Sequence, residues 1–457
     1  MTWIQPEDLV PHELVASREQ GADVVDFERR WVVAGGTASP PPKGASPEPA
    51  SPSLRALALD LLDELGALPR PGAADEPDGL DEIRAGWPTD WDLPGPSVGP
   101  GPAGGPAGMH DRVHGAWLGR AAGCLLGKPV EGLPLEGIRA IVRATGRAPL
   151  TGYFTAAGLP DDVAARWRWN RRSAGTSLAE NIDGMPEDDD LNYPLLALLL
   201  TERHGRTLTS EDVATAWLDL LPAGRTFTAE RVAYRNLLSG LTPPATATTH
   251  NPFREWIGAQ IRTDLYGWAH PGDPATAATL AYADAAVSHV RNGVYGALYA
   301  AALGSAAVVA DDVDAVLAAG AAVLPPRSRL ATAVADARRL AATEPDWDAV
   351  VDTLHARYAE LHWVHVVNNA ALLTAALVHG AGDYTRSIGA VVAGGWDTDS
   401  NGATVGGVVG ALIGAASLPA TWTAPLRNRL ATSIPGLDGV GFDTLASRTV
   451  ALVGRHG

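Results

Sequence analysis

From Met109 onward, apolar residues recur at helical spacing in one segment after another. Residues 191–204, 210–221, 229–240, 275–287, 293–310, 312–323, 328–342, 347–361 and 366–379 read as helices joined by short polar or Gly/Pro connections. No stretch alternates with period two for long enough to suggest a sheet, and no unit of solenoid length recurs. The predicted fold class is all-α. Upstream the pattern is thinner. Val24, Phe27 and Trp31 make one apolar face at i, i+3, i+7, and Gly35-Gly36 stops it. A Pro/Ser linker spans 37–52, residues 53–68 form an amphipathic helix with Leu54, Leu57, Leu61, Leu62 and Leu65 on one side, and 69–108 is Pro/Gly-rich around Trp87 and Trp91. The expected organisation is an N-terminal extension, 1–108, and an all-α domain, 109–457.

Two helical segments carry glycine at every fourth position. One is 109–127, with Gly115, Gly119, Gly123 and Gly127, ended by Lys128-Pro129 and followed by Val130-Glu131-Gly132 on a loop. The other lies within 394–418, with Gly402, Gly406, Gly410 and Gly414. Each Gly costs roughly 1 kcal/mol against Ala inside a helix, so four on one face predict that another backbone packs close, and the two stripes are candidates to pack on each other. Asp397 and Asp399, at i and i+2, are expected on the turn leading into the second helix, with Ser400 or Asn401 as its cap.

Length alone suggests two or three domains, and a content of 46% hydrophobic residues with few aromatics apart from 14 Trp favours helices over a β-sandwich. The net charge of −17 argues against a nucleic-acid surface and disfavours anionic membranes. A single cysteine, Cys124, excludes an internal disulfide and a cysteine-cluster zinc site. The uncharged run 293–310 reads as a buried core helix, since no basic flank accompanies it. The N-terminus lacks a basic region followed by an apolar one, so a signal peptide is not expected and the expected location is cytoplasmic.

The acidic run Glu187-Asp188-Asp189-Asp190 stands directly before a strongly apolar helix. A solvated charge run is the ordinary explanation; against the core, a hard divalent cation such as Mg²⁺ or Mn²⁺ would offset the mutual repulsion. Asp397, Asp399 and Ser400 form a second acidic set at an equivalent place. The 397–402 pattern mimics the opening of an EF-hand loop, but the twelfth position is Val408 rather than Glu, so that reading fails. Glu131 is either a solvent-facing loop residue or a carboxylate that activates water or binds a sugar hydroxyl. His289, His362 and His365 are more often structural than catalytic when isolated like this. Asn368 and Asn369 read as buried amides needing partners, and Trp396 as a core anchor or a stacking surface. GCLLGKP is not a complete phosphate-binding loop.

Taken in order, GAWLGRAAGCLLGKPVEG, EDDDLNY, SHVRNGVYGALYAAALGSAA, VVNNAALL and GGWDTDSNGATVGGVVGALIGA resemble the ADP-ribosylglycohydrolase family across about residues 110–420. The resemblance implies a multi-helix domain with two Mg²⁺ ions (Mn²⁺ as the alternative) in a central cleft. It implies hydrolysis of the glycosidic bond at C1″ of an ADP-ribosyl group on a protein or small molecule, by a monomer. Carried over, the metal ligands are Asp188, Asp189, Asp190, Asp397, Asp399 and Ser400, and Glu131 is catalytic. The substrate-binding set is Gly127, Asn192, Tyr193, His289, Gly293, Asn369 and Trp396. A register one residue earlier would use Glu187, Asp188 and Asp189. The chain departs from the family in having Asp188 where Thr is usual, in the inserted Trp396, and in the extension 1–108. A bimetal hydrolase of a different glycoside and a catalytically silent relative are the competing readings.

Overall fold

A computed structural model describes residues 5–40, 46, 48–91, 93 and 108–453. Parts of the expected linker 37–52 and of the 69–108 segment, and the first four residues of the N-terminus, lie outside them. The described residues are all-α: helices with short 3₁₀ turns, no strand, and isolated bridges only at Met185–Leu430, Trp256–His365 and Leu430–Val440.

The Met109–Gly127 and Thr398–Ile413 helices run antiparallel, backbone against backbone. A Cβ built on Gly115, Gly119 or Gly123 would overlap the carbonyl oxygen of Gly410, Gly406 or Gly402, and the reverse substitutions would overlap the carbonyls of Gly115, Gly119 and Gly123. The two stripes therefore fit each other in one register. Gly414 lies outside the second helix as its C-cap, at φ +80°. The fourth partner, facing Gly127, is Thr398, whose hydroxyl donates to the Gly127 carbonyl at 2.8 Å.

Around this pair the expected helices form with shifted ends. The 191–204 segment is the Asp189–His204 helix, so two of the acidic residues belong to its first turn. The Thr398–Ile413 helix also starts early. Asp397 is its N-cap residue, and Ser400 and Asn401, expected as caps, lie inside it. Both shifts share a cause: aspartates in a first turn are stabilised by the free N–H groups and the helix dipole, a contribution that apolar periodicity does not register. Helices at Leu135–Ala144 and Tyr384–Ala393 lie where no helix is expected from the sequence. The 293–310 run forms the Arg291–Ala307 helix, buried at every residue, and no helix is long and apolar enough to cross a membrane.

The N-terminal helices Pro6–Glu19, Val25–Val33 and Pro52–Gly66 build a satellite core. Leu9, Val10, Leu14, Trp31, Leu61, Leu62 and Leu65 close over Ala229, Val232, Phe253 and Trp256 of the main body. Buried polar pairs seat it. Arg254 donates to both Glu13 oxygens at 2.8 and 2.9 Å, Gln20 donates to Glu255 at 2.6 Å, and Arg329 bridges Glu76 and Glu255 at 3.0 and 2.5 Å. His12 meets the edge of Trp256, and His362 stacks on Trp256 with centroids 4.2 Å apart. The extension is thus joined to the body by a largely buried polar and aromatic seam.

Two predictions follow from this packing. Gly123→Ala should cost about 1–3 kcal/mol, because two backbones must separate to admit one methyl group. Gly66→Ala, where nothing lies within 4 Å of the added carbon, should be neutral or gain up to about 1 kcal/mol; urea unfolding of both variants checks the contrast. The second concerns pH. Burial, then the neighbouring His362, lowers His12 to about 3, while burial lowers His362 and, as its largest cause, His365 to about 4. These groups stay neutral in the fold while the unfolded chain protonates near 6.5, so stability is complete above that value and falls as pH drops towards about 4. Glu19, raised to about 7 by burial and then Glu255, acts in the opposite sense, one group against three. Limited proteolysis within the extension should therefore be faster at about pH 5 than at about pH 7.5.

Candidate metal and active centre

The glycine contact decides where the acidic residues meet. It brings the C-terminal end of Met109–Gly127 onto the first turn of Thr398–Ile413, so tightly that a Cβ on Gly127 would overlap the Thr398 carbonyl. Beyond Gly127 the 3₁₀ turn Lys128–Val130 carries the chain to Glu131. The start of Asp189–His204 makes the third wall, with the Asp188 carboxylate accepting from the Asp190 N–H at 3.0 Å as the N-cap. Arg120, fully buried, holds that wall. Its Nε donates to the Asp190 carbonyl at 2.8 Å and its Nη atoms to Asp190 Oδ1 at 3.3 Å, Asp264 Oδ2 at 3.0 Å and the Ile261 carbonyl.

Two groups of ligand-type atoms result, each within 4.8 Å: Cys124, Asp188 and Asp190, and Glu131, Asp397 and Asp399. Ser400 joins them, its hydroxyl donating to Asp190 Oδ2 at 3.3 Å. Lys128 Nζ donates to Asp188 Oδ2. Asn170 donates to Glu131 Oε2 at 2.8 Å. The Asp397 N–H donates to Asn369 Oδ1 at 3.2 Å, and Asn401 donates to the same oxygen at 2.6 Å. Asn369 in turn donates to the Trp363 and His365 carbonyls, both at 2.8 Å, so it fixes the 397 turn against the 362–365 loop.

The electrostatics are those of carboxylates crowded away from water. Burial opposes ionisation of Asp188, but Lys128 more than offsets it, and this carboxyl sits below the ordinary range. Burial, then the charge of a neighbouring carboxylate, pushes Asp189, Asp190 and Asp397 well above that range, and Asp399 up as well. Glu131 is raised to about 8 by burial, Asp399 and Asp188. Asp399 is 6% exposed and its Oδ1 has no hydrogen-bond partner among the described residues. A hard divalent cation suits this oxygen-rich set, since it would give that atom a ligand and relieve the repulsion. Burial pushes the Cys124 thiol well up.

The other predicted residues divide. Gly127 and Asn369 lie at the centre as described. Glu187 is turned away: Arg225 pairs with Oε2 at 2.6 Å, and Asn192 and the Ser433 N–H donate to Oε1. Asn192 is buried and accepts from Thr432 at 2.5 Å. Tyr193 packs its ring near Trp217 and beneath Arg262, with its hydroxyl buried and unpartnered. His289 is enclosed, its Nδ1 2.8 Å from the Ser288 hydroxyl and its Nε2 3.9 Å from Glu230. Gly293 lets its helix approach the Arg254 carbonyl. The Trp396 ring is stacked on His355 with centroids 4.2 Å apart, at φ +60°, so one of its faces is taken up within the protein. Asn368 donates to the His362 carbonyl at 3.3 Å.

Several residues carry no local signal in the sequence: Arg120, Lys128, Asn170 and, at the rim, Arg172 and Arg231. Each of the last two has its guanidinium 5.8 Å from the Phe227 ring centroid. The Arg172 N–H donates to the side chain of Asn170, the residue that holds Glu131. A cationic and aromatic rim thus adjoins an acidic floor.

The sequence profile of the ADP-ribosylglycohydrolase family matches residues 106–455. The chain belongs to the ADP-ribosylglycohydrolase family. Members hydrolyse glycosidic bonds and depend on a metal, so this chain is a glycosidic-bond hydrolase whose buried acidic residues can bind a metal. A solved structure of an "ADP-ribosylglycohydrolase-related protein complex" is 20% identical, with a TM-score of 0.47, and covers 76% of this chain and 98% of that one. No curated protein matches the sequence. The family match begins at residue 106, so the Pro6–Glu19, Val25–Val33 and Pro52–Gly66 helices are an addition to it.

Arg120 supplies a prediction about this glycosidase scaffold. Arg120→Met keeps the volume but leaves Asp264 and Asp190 without their buried counter-charge, which should cost about 3–5 kcal/mol in urea unfolding.

Proposed function

We propose that this hydrolase cleaves the bond at C1″ of an ADP-ribosyl group attached to a protein or a small molecule, with Mg²⁺ (or Mn²⁺) as the metal. The observation that carries the proposal is the convergence of Glu131, Asp397 and Asp399 around a buried carboxylate oxygen that lacks a protein partner. The residues that would hold divalent metal lie among Asp188, Asp189, Asp190, Asp397, Asp399 and Ser400. When bound, that metal supplies positive charge that polarises oxygen ligands.

The chain's own residues account for the rest. The C1″ bond breaks and a bond from C1″ to a water oxygen forms; the water gives up a proton and the leaving group accepts one. The transition state carries positive charge on the anomeric carbon, which a floor of carboxylates stabilises. Glu131, held through Oε2 by Asn170, presents its other oxygen as the acid–base group or as the acceptor of a ribose hydroxyl. Asn369 holds the turn that carries Asp397. The rim favours an ADP-bearing substrate over a plain glycoside: Arg172 and Arg231 suit a diphosphate, and Phe227 beside them adds apolar surface for a base or sugar.

Asp399→Asn should lower turnover by more than about 100-fold, beyond the usual effect of an outer-shell substitution, while circular dichroism remains that of the wild type. Full activity would remove this centre from the chemistry. Arg172→Ala and Arg231→Ala should each weaken ADP-ribose by about 10–100-fold, the range of a lost charge-assisted hydrogen bond, and leave a plain riboside unaffected. Calorimetric titration of Mg²⁺-loaded protein measures both. Equal losses for ADP-ribose and riboside would move the substrate to a non-ADP glycoside.

A further inference from the structure

The two halves of the carboxylate cluster differ in one respect. The half containing Asp188 and Asp190 has basic groups inside it: Lys128 on Asp188 and Arg120 on Asp190. The half made by Glu131, Asp397 and Asp399 forms no ion pair among the described residues, and there Asp399 Oδ1 has no partner.

Lys128 is placed by the backbone. It is the first residue of the 3₁₀ turn after Gly127, and Gly127 is locked against Thr398 by the close approach and the 2.8 Å hydrogen bond. Its side chain is 9% exposed and the Asp188 side chain 7% exposed, so the ammonium cannot simply swing out to bulk water. A buried ammonium is stable only beside an anion, and Asp188 Oδ2 is that anion. A divalent cation on the same carboxylate would stand a few ångströms from the ammonium. Away from water the two positive charges repel with little screening.

We propose that Lys128 is a built-in cation occupying the Asp188 half of the cluster. The protein then binds a single divalent ion, held by Asp397 and Asp399 beside Glu131, rather than the two that the resemblance implies. This rests on the metal-dependent reading above and specifies how many ions the site takes and where. Lys128 is a positioning residue: it holds Asp188 and excludes the second ion.

Equilibrium dialysis against Mn²⁺, followed by elemental analysis, tests it on the full chain. Wild type and Lys128→Arg should each retain one Mn²⁺ per chain, and Lys128→Met, which keeps the apolar stem and removes the charge, should retain two. Two ions in the wild type, or one in Lys128→Met, would overturn the role of Lys128 and leave metal dependence intact. No ion in any variant would overturn the metal reading itself and this proposal with it. If Lys128→Met does not fold, anomalous scattering from Mn²⁺ in wild-type crystals decides the matter. A single peak among Glu131, Asp397 and Asp399 supports the proposal, and a peak within about 2.2 Å of an Asp188 oxygen overturns it.

Discussion

Everything at this site depends on two helices touching through their backbones. A helix normally meets another through side chains, at 8–10 Å between axes. Here the four glycines of Met109–Gly127 face carbonyls of Thr398–Ile413, and Gly402, Gly406 and Gly410 return the contact. The arrangement sacrifices helix propensity at seven positions. What it gains is register, since a slide by one residue would drive a side chain into a carbonyl. The functional consequence is at the open end, where Gly127 and Thr398 meet and the acidic turn and Glu131 leave the contact side by side.

The second organising constraint is charge. The chain buries carboxylates from three separate segments in one place, and burial alone would drive protons onto them. Arg120 and Lys128 answer for two of them, Asp190 and Asp188, through direct contacts. The remaining group keeps its deficit of positive charge, which is what a metal-dependent hydrolase requires of it. The same economy governs the N-terminal addition, where Arg254 and Arg329 enter the seam only together with Glu13, Glu76 and Glu255. His12, Trp256, His362 and Trp363 continue from that seam towards Gly132, the residue after Glu131. The extension therefore packs on a wall that reaches the edge of the centre.

Much of this was legible in the residues alone. Helical periodicity, the lack of period-two alternation and the Gly spacing determined an all-α chain with two helices made for close approach. The Asp-rich stretches at 187–190 and 397–399, each before a small or apolar helix, marked where oxygen ligands would gather. Only the tertiary structure decided that Thr398 rather than Gly414 completes the glycine contact, that Glu187 turns away to Arg225, and that Trp396 lies on His355. It alone placed Arg120, Lys128 and Asn170 at the centre. The reason is physical. Periodicity and capping reflect forces within a few residues of chain, whereas register and charge compensation arise between segments far apart in sequence, such as Lys128 and Asp188 or Gly123 and Gly402.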